Sequence, residues 1–176
     1  MRKNHLSGLL VMLCIPVLLV ACGVGGGGSN PPVVLPTKAT VTLSTTGTLP
    51  AGTKIYGIDL MVVLPTGVTA KASPSSANPA VMVTDSGVVT ATGAASGADS
   101  VLATYLTSST TPTHQMEIYV TKSDGFTTGE FATVNCDITP GTYPAAADFS
   151  TPEFQAVDQN GAMISGLTLG FTAAIQ

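Results

Sequence analysis

The sequence predicts an all-β domain, an antiparallel β-sandwich of roughly eight or nine strands. Three observations carry this. Apolar residues alternate with Thr, Ser and other polar residues in short runs, the period of half-buried strands. Turn residues rich in Gly, Pro, Asn and Asp separate the runs. The composition favours Thr, Ser, Ala, Val and Gly, and no Glu/Lys/Leu-rich stretch of helical length occurs.

In chain order, Ala39, Val41 and Leu43 alternate with Thr40, Thr42 and Ser44 in a first strand, and Leu49-Pro50-Ala51-Gly52 turns the chain. Tyr56, Ile58, Leu60, Val62 and Leu64 share one face of the next strand. Gly57, Asp59, Met61 and Val63 share the other, and so little polarity predicts a central strand. Pro65-Thr66-Gly67 ends it. Residues 80–84 and 88–92 flank Asp85-Ser86-Gly87 and predict a hairpin. Residues 101–106 form an apolar strand, and a Ser/Thr loop leads to Met116, Ile118 and Val120, which alternate with Glu117, Tyr119 and Thr121. Ser123-Asp124-Gly125 predicts a turn. Ala132, Val134, Cys136 and Ile138 line one face of a further strand, closed by Thr139-Pro140-Gly141. Residues 144–148 offer the one candidate for a helical turn. Asn160-Gly161 predicts a type I′ hairpin between residues 154–157 and the stretch from Met163 onward. The last strand alternates most clearly, with Leu167, Leu169, Phe171, Ala173 and Ile175 pointing one way.

The N-terminal part reads differently. Arg2 and Lys3 precede an apolar run from Leu9 to Ala21, within the roughly 7–15 residues of a signal-peptide core and too short to span a bilayer. Leu19-Val20-Ala21-Cys22 then reads as a bacterial lipoprotein cleavage box. Only the thiol of Cys22 can take the diacylglycerol thioether, and cleavage before it frees an amino group for acylation. Residues 1–21 are thus expected to be a signal peptide and Cys22 a lipidated (palmitate-bearing) N-terminus. Residues 22–37 make a Gly/Pro-rich tether, flexible at Gly25–Gly28 and stiffer at Pro31, Pro32 and Pro36. Residues 38–176 are the folded domain. The expected location is the cell envelope, held to the membrane by the N-terminal lipid. No Asp follows Cys22 as an inner-membrane retention signal, and this points to the outer membrane.

From Cys22 onward the chain keeps all ten acidic residues against Lys38, Lys54, Lys71 and Lys122, with no arginine. An acidic chain of this kind is a poor partner for nucleic acid and offers anionic lipid heads no polybasic patch. Cys14 leaves with the signal and Cys22 is acylated. Cys136 is then left without a partner for an intrachain disulfide.

Several segments together resemble a cohesin domain. They are Met116-Glu117-Ile118-Tyr119-Val120, Asp124-Gly125-Phe126 and Gly129-Glu130-Phe131-Ala132-Thr133-Val134, followed in order by Phe149, Phe154 and Val157-Asp158-Gln159-Asn160-Gly161. Upstream, Gly57-Ile58-Asp59-Leu60 looks like the early strand of that family. The resemblance covers residues 38–176. Val63-Leu64-Pro65 stands where cohesin-like chains often carry Tyr-Asp-Pro. The resemblance implies a jelly-roll sandwich related to carbohydrate-binding modules. It also implies binding of dockerin modules, and so a part in complexes that degrade polysaccharides, often at cell surfaces. No dockerin-contacting residue is carried over.

The residues that might carry chemistry are few. His114 stands in a Thr/Pro-rich stretch without the partners a triad or zinc site needs. Cys136 falls on the apolar face of its strand and reads as a small buried hydrophobe. Asp158 and Asn160 lack the ligand spacing of a calcium loop and read as turn residues. Tyr56, Tyr105, Tyr119 and Tyr143 are possible stacking platforms for sugars. Tyr119, on the polar face of its strand with Glu117 and Thr121 beside it, is the candidate ligand patch. The expectation is a non-catalytic binding module with no cofactor and no metal, holding a dockerin-type module or a polysaccharide. The alternative is a structural or envelope-assembly lipoprotein with no carbohydrate role.

Overall fold

The computed structural model describes residues 33–70, 80–83, 87–106 and 114–176. The segments expected to be a signal peptide, a lipidated Cys22 and most of a tether lie outside the described residues. Residues Val34–Gln176 form one compact unit.

Ten strands are present among the described residues: β1 (Lys38–Thr46), β2 (Ile55–Leu64), β3 (Val68–Ala70), β4 (Ala80–Met82), β5 (Val89–Ala91), β6 (Ser100–Leu106), β7 (His114–Phe126), β8 (Gly129–Ile138), β9 (Ser150–Val157) and β10 (Thr168–Ile175). All named pairings are antiparallel. The first sheet runs β10-β1-β8, with β3 and β5 both on the far side of β8. The second runs β4-β6-β7-β2-β9. The two sheets enclose one apolar core, and the predicted β-sandwich is the architecture found.

The core follows from the alternation. On β1, Ala39, Val41 and Leu43 turn inward; on β2, Ile58, Leu60, Val62 and Leu64; on β7, Met116, Ile118 and Val120; on β8, Val134, Cys136 and Ile138. Each Leu or Ile so placed stabilises the fold by about 1.5–3 kcal/mol relative to exposure. β2 is flanked by β7 and β9, so it is internal to its sheet, as its weakly polar outer face predicts.

Bulges shift two inward positions. Ile55 pairs with Phe126 while Gly57 pairs with Thr121, so residues 122–125 of β7 have only Tyr56 opposite them. Ile55, not Tyr56, therefore takes the core position, and Tyr56 is only half-buried. The expected turn at Ser123-Asp124-Gly125 is this bulge, held from both sides. The Lys54 Nζ donates to the carbonyl of Asp124 at 2.9 Å, and the Ser123 N–H donates to the Asp99 carboxylate. On β8, Leu43 pairs with Ala132 and Ser44 with Glu130, which leaves Phe131 as an extra residue. It is fully buried beside Ala132.

Two other expectations are corrected. Residues 80–84 and 88–92 do not form a hairpin: β4 pairs with β6 in the second sheet and β5 with β8 in the first. The apolar residues flanking the junction, Val83, Val88 and Val89, are buried, so the stretch is satisfied by crossing between layers rather than folding back. The Asn160-Gly161 hairpin is reduced to one bridge, Val157 with Met163. Its turn spans residues 158–161, with the Gly161 N–H donating to the Asp158 carbonyl, so Asn160-Gly161 is not the central pair of a type I′ turn. The following chain crosses to the first sheet, where β10 starts only at Thr168. The row Leu169, Phe171, Ala173 and Ile175 points one way as expected, inward, and is half-buried because β10 is an edge strand. The helical turn expected at 144–148 is a 3-10 turn at Ala146–Asp148, and a second, unforeseen one lies at Gly93–Ala95. β3 was not foreseen either. Val68 N–H donates to the Pro65 carbonyl, so the turn at Pro65-Thr66-Gly67 sends the chain straight across to β8.

Candidate functional site

The outer face of the second sheet is a grid fixed by strand register. In one row Leu102, Tyr119, Asp59 and Gln155 lie side by side on β6, β7, β2 and β9. The row below holds Thr104, Glu117, Met61 and Glu153, and the row above Ser100, Thr121, Gly57 and Val157. Directly opposed residues on neighbouring strands share a face, about 4.5–5.5 Å apart, so these side chains are neighbours.

Tyr119, Glu117 and Thr121 are therefore brought together as the alternation implies. Tyr119 and Thr121 are exposed, and Glu117 is partly covered. The Tyr119 hydroxyl donates to Glu117 Oε1 at 2.5 Å. That hydrogen bond holds the phenol protonated and pushes its pKa up to about 12. It also stands the ring in a fixed orientation. Tyr119 and Thr121 line a shallow depression of about 210 Å³ with Gly57, Asp59, Gln155 and Val157. The depression exists because Gly57 has no side chain: a Cβ there would lie 3.0 Å from Val157 Cγ2.

Asp59 and Gln155 belong to this site, and neither is adjacent to Tyr119 in sequence. The signal for Asp59 was its polar position on an otherwise apolar strand. Its neighbour on β7 is set by pairing across more than fifty residues, which alternation alone does not give. Partial burial holds the Asp59 carboxyl above its ordinary range, and the nearby Glu117 and Glu153 raise it further. The folded state thus binds a proton more readily than the unfolded chain. Asp59 accordingly favours the fold at low pH and loses that contribution as pH rises through its raised pKa. Asp59→Asn is expected to raise the urea midpoint at about pH 7, with the gain shrinking toward about pH 3. A gain that does not vary with pH would rule out the charge of Asp59 as its source.

The other candidates lie elsewhere. Tyr105 is buried in the core, with burial as the main cause of its raised pKa. Tyr143 is exposed on an open groove of about 520 Å³, whose lining includes Thr66, Thr142, Pro144 and Asp148. His114 is partly buried against the Tyr105 ring at 5.6 Å, with no hydrogen-bond partner for Nδ1 among the described residues. Cys136 is buried, and that burial pushes its thiol up to about 12. Asp158 Oδ1 accepts from the N–H groups of Asn160 and Ala162 at 2.8 and 2.9 Å, so this carboxylate serves its own turn. The outer face of the first sheet differs in kind. It carries Thr40, Thr42, Ser44, Thr46, Thr168 and Thr172, with Thr46 and Thr168 hydroxyls 2.8 Å apart.

No family, curated protein or solved structure matches the chain.

Proposed function

We propose that this chain is a non-catalytic, cohesin-like binding module, lipid-anchored through Cys22. In this reading it holds a dockerin-type module or a polysaccharide at the cell envelope through the outer face of β6-β7-β2-β9. The observation that supports it is the Tyr119 row. An oriented phenol, a carboxylate and an amide line a depression that a missing side chain opens, and the exposed Leu102 pairs with Tyr119 on the next strand. A rigid mixture of aromatic, small polar and apolar groups suits a partner that presents both hydroxyls or amides and apolar edges. The Tyr119–Glu117 bond satisfies the hydroxyl, and the side chain stays exposed.

Titration calorimetry against soluble plant and bacterial polysaccharides and a purified dockerin module tests this. Binding to one of them is expected, weakened at least tenfold by Tyr119→Ala, or about 1.4 kcal/mol. Thr42→Ala, on the opposite sheet, should leave affinity unchanged. Equal affinity in Tyr119→Ala would remove this face as the site. Hydrolysis of any ligand that His114→Ala abolishes would replace the reading with an enzyme.

A further inference from the structure

We propose that β10 is a pairing edge, to which a second copy of this chain adds its own β10, antiparallel, so that the first sheet runs continuously through two domains. The edge itself supports this. β10 pairs with β1 on one side, and no described strand lies along the other. The Gln176 N–H donates to the Lys38 carbonyl at 2.8 Å and the Lys38 N–H to the Gln176 carbonyl at 3.2 Å, so this pair is a hydrogen-bonded rung. Antiparallel alternation then turns the N–H and C=O groups of Ala174, Thr172, Gly170 and Thr168 toward β1. Those of Leu169, Phe171, Ala173 and Ile175 face the open edge, and these are the residues of the half-buried apolar row.

Exposed edges are ordinarily blunted by charge, proline or brevity. The other edges of this sandwich follow that rule. β9 carries Pro152 and Glu153, and β3, β4 and β5 are each three residues long. β10 has eight residues with neither charge nor proline. The occupant follows from charge and symmetry. The chain carries a net charge of −4, so two copies repel over most of their surface. No Asp, Glu, Lys or Arg occurs between residues 39 and 53 or between 159 and 176, which make β1, β10 and their connections. This ribbon is where like-charged copies meet without repulsion. A two-fold axis also sets each strand against its own sequence, so the small outward row meets a small row and the apolar row completes an apolar row.

The geometry fixes a register. Using all four free positions requires Leu169 to pair with Ile175 of the second copy and Phe171 with Ala173, which centres the axis on Thr172. Thr172 then faces Thr172 of the second copy at a non-hydrogen-bonded position, about 4.5 Å between Cα atoms. Ala174 lies about 14 Å from its own counterpart.

Two measurements on the full chain test this. In native membranes under mild oxidation, Thr172→Cys should form an intermolecular disulfide, since its spacing falls within the roughly 4.4–6.8 Å window, whereas Ala174→Cys should not. By sedimentation equilibrium in density-matched detergent, Thr172→Lys should raise the dimer dissociation constant at least tenfold. Its side chain is on the exposed face, so the far-UV spectrum should be unchanged. Mixing Thr172→Lys with Thr172→Glu should restore pairing. Cross-linking equal at 172 and 174 would overturn the proposal. So would a chain monomeric at all concentrations, the result expected if this edge receives another protein's peptide, or a dimer that Thr172→Lys leaves intact.

Discussion

Leu43→Asp is expected to leave the domain unfolded. Leu43 is fully buried in the middle of β1, with Phe171 and Ala132 as its cross-strand partners. The substitution forfeits about 1.5–3 kcal/mol of apolar burial. It also places a carboxylate where no described cation can reach it, at a further cost of several kcal/mol. Together these approach the roughly 5–15 kcal/mol that holds a typical domain folded. The same change at Leu169, inward-facing but half-buried on the edge strand, should cost less because the carboxylate keeps contact with water. Thr168→Asp, one position along and exposed, should stay within about 0.5 kcal/mol of the parent. Urea midpoints should fall in that order. Equal damage at 43 and 168 would mean the inward and outward faces of the first sheet had been exchanged.

Gly47→Ala should be the most damaging small substitution outside the core. Gly47 follows β1 at φ 121°, a conformation that side chains rarely adopt, and a Cβ there would lie 2.3 Å from the Gly166 carbonyl oxygen. The conformation alone costs about 1–3 kcal/mol for a residue with a side chain. Relieving the clash requires backbone movement at Gly166, two residues before β10, and so disturbs the end of the β1–β10 ladder at Thr46 and Thr168. Gly52 gives the comparison. It also has a positive φ, 77°, but a Cβ there meets nothing within 4 Å. Gly52→Ala should therefore show the conformational cost by itself. Thermal melts of the two variants should differ by several degrees, with Gly47→Ala lower. Matching melts would mean that the strand ends yield freely.

The sandwich was legible because period-two patterning is a direct imprint of a two-layer core. Val41, Leu60, Ile118 and Val134 all turn inward where alternation puts them. What the pattern does not encode is which strand pairs with which. Residues 80–84 and 88–92 look like a hairpin because turn residues separate two apolar runs. Whether such runs pair or part into opposite layers depends on distant strands, here β6 and β8. Bulges escaped for a related reason: an extra residue shows only against its partner, and Phe131 looks ordinary until Leu43 and Ser44 are set beside it. The candidate patch was half visible. Tyr119, Glu117 and Thr121 lie on one strand and could be read together, whereas Asp59 and Gln155 reach them only through the β2–β7 and β2–β9 ladders. The depression itself depends on an absent side chain at Gly57, which reads in sequence only as a weak spot in a strand.

The place where the chain enters β1 has a mechanical meaning. The N–H groups of Thr37 and Lys38 both donate to the carbonyl of Gln176, so residues 37 and 176 lie at the same end of an antiparallel ribbon. A pulling force applied between these two points meets the rungs one at a time, from Lys38 and Gln176 toward Thr46 and Thr168. It peels the ribbon open instead of shearing all its hydrogen bonds together. Tension passed between residue 37 and residue 176 would thus be borne by the weakest loading geometry that a β-sheet offers. Tension that enters at 37 and leaves through the outer face of β6-β7-β2-β9 would bypass that ribbon's free end and cross the packed core.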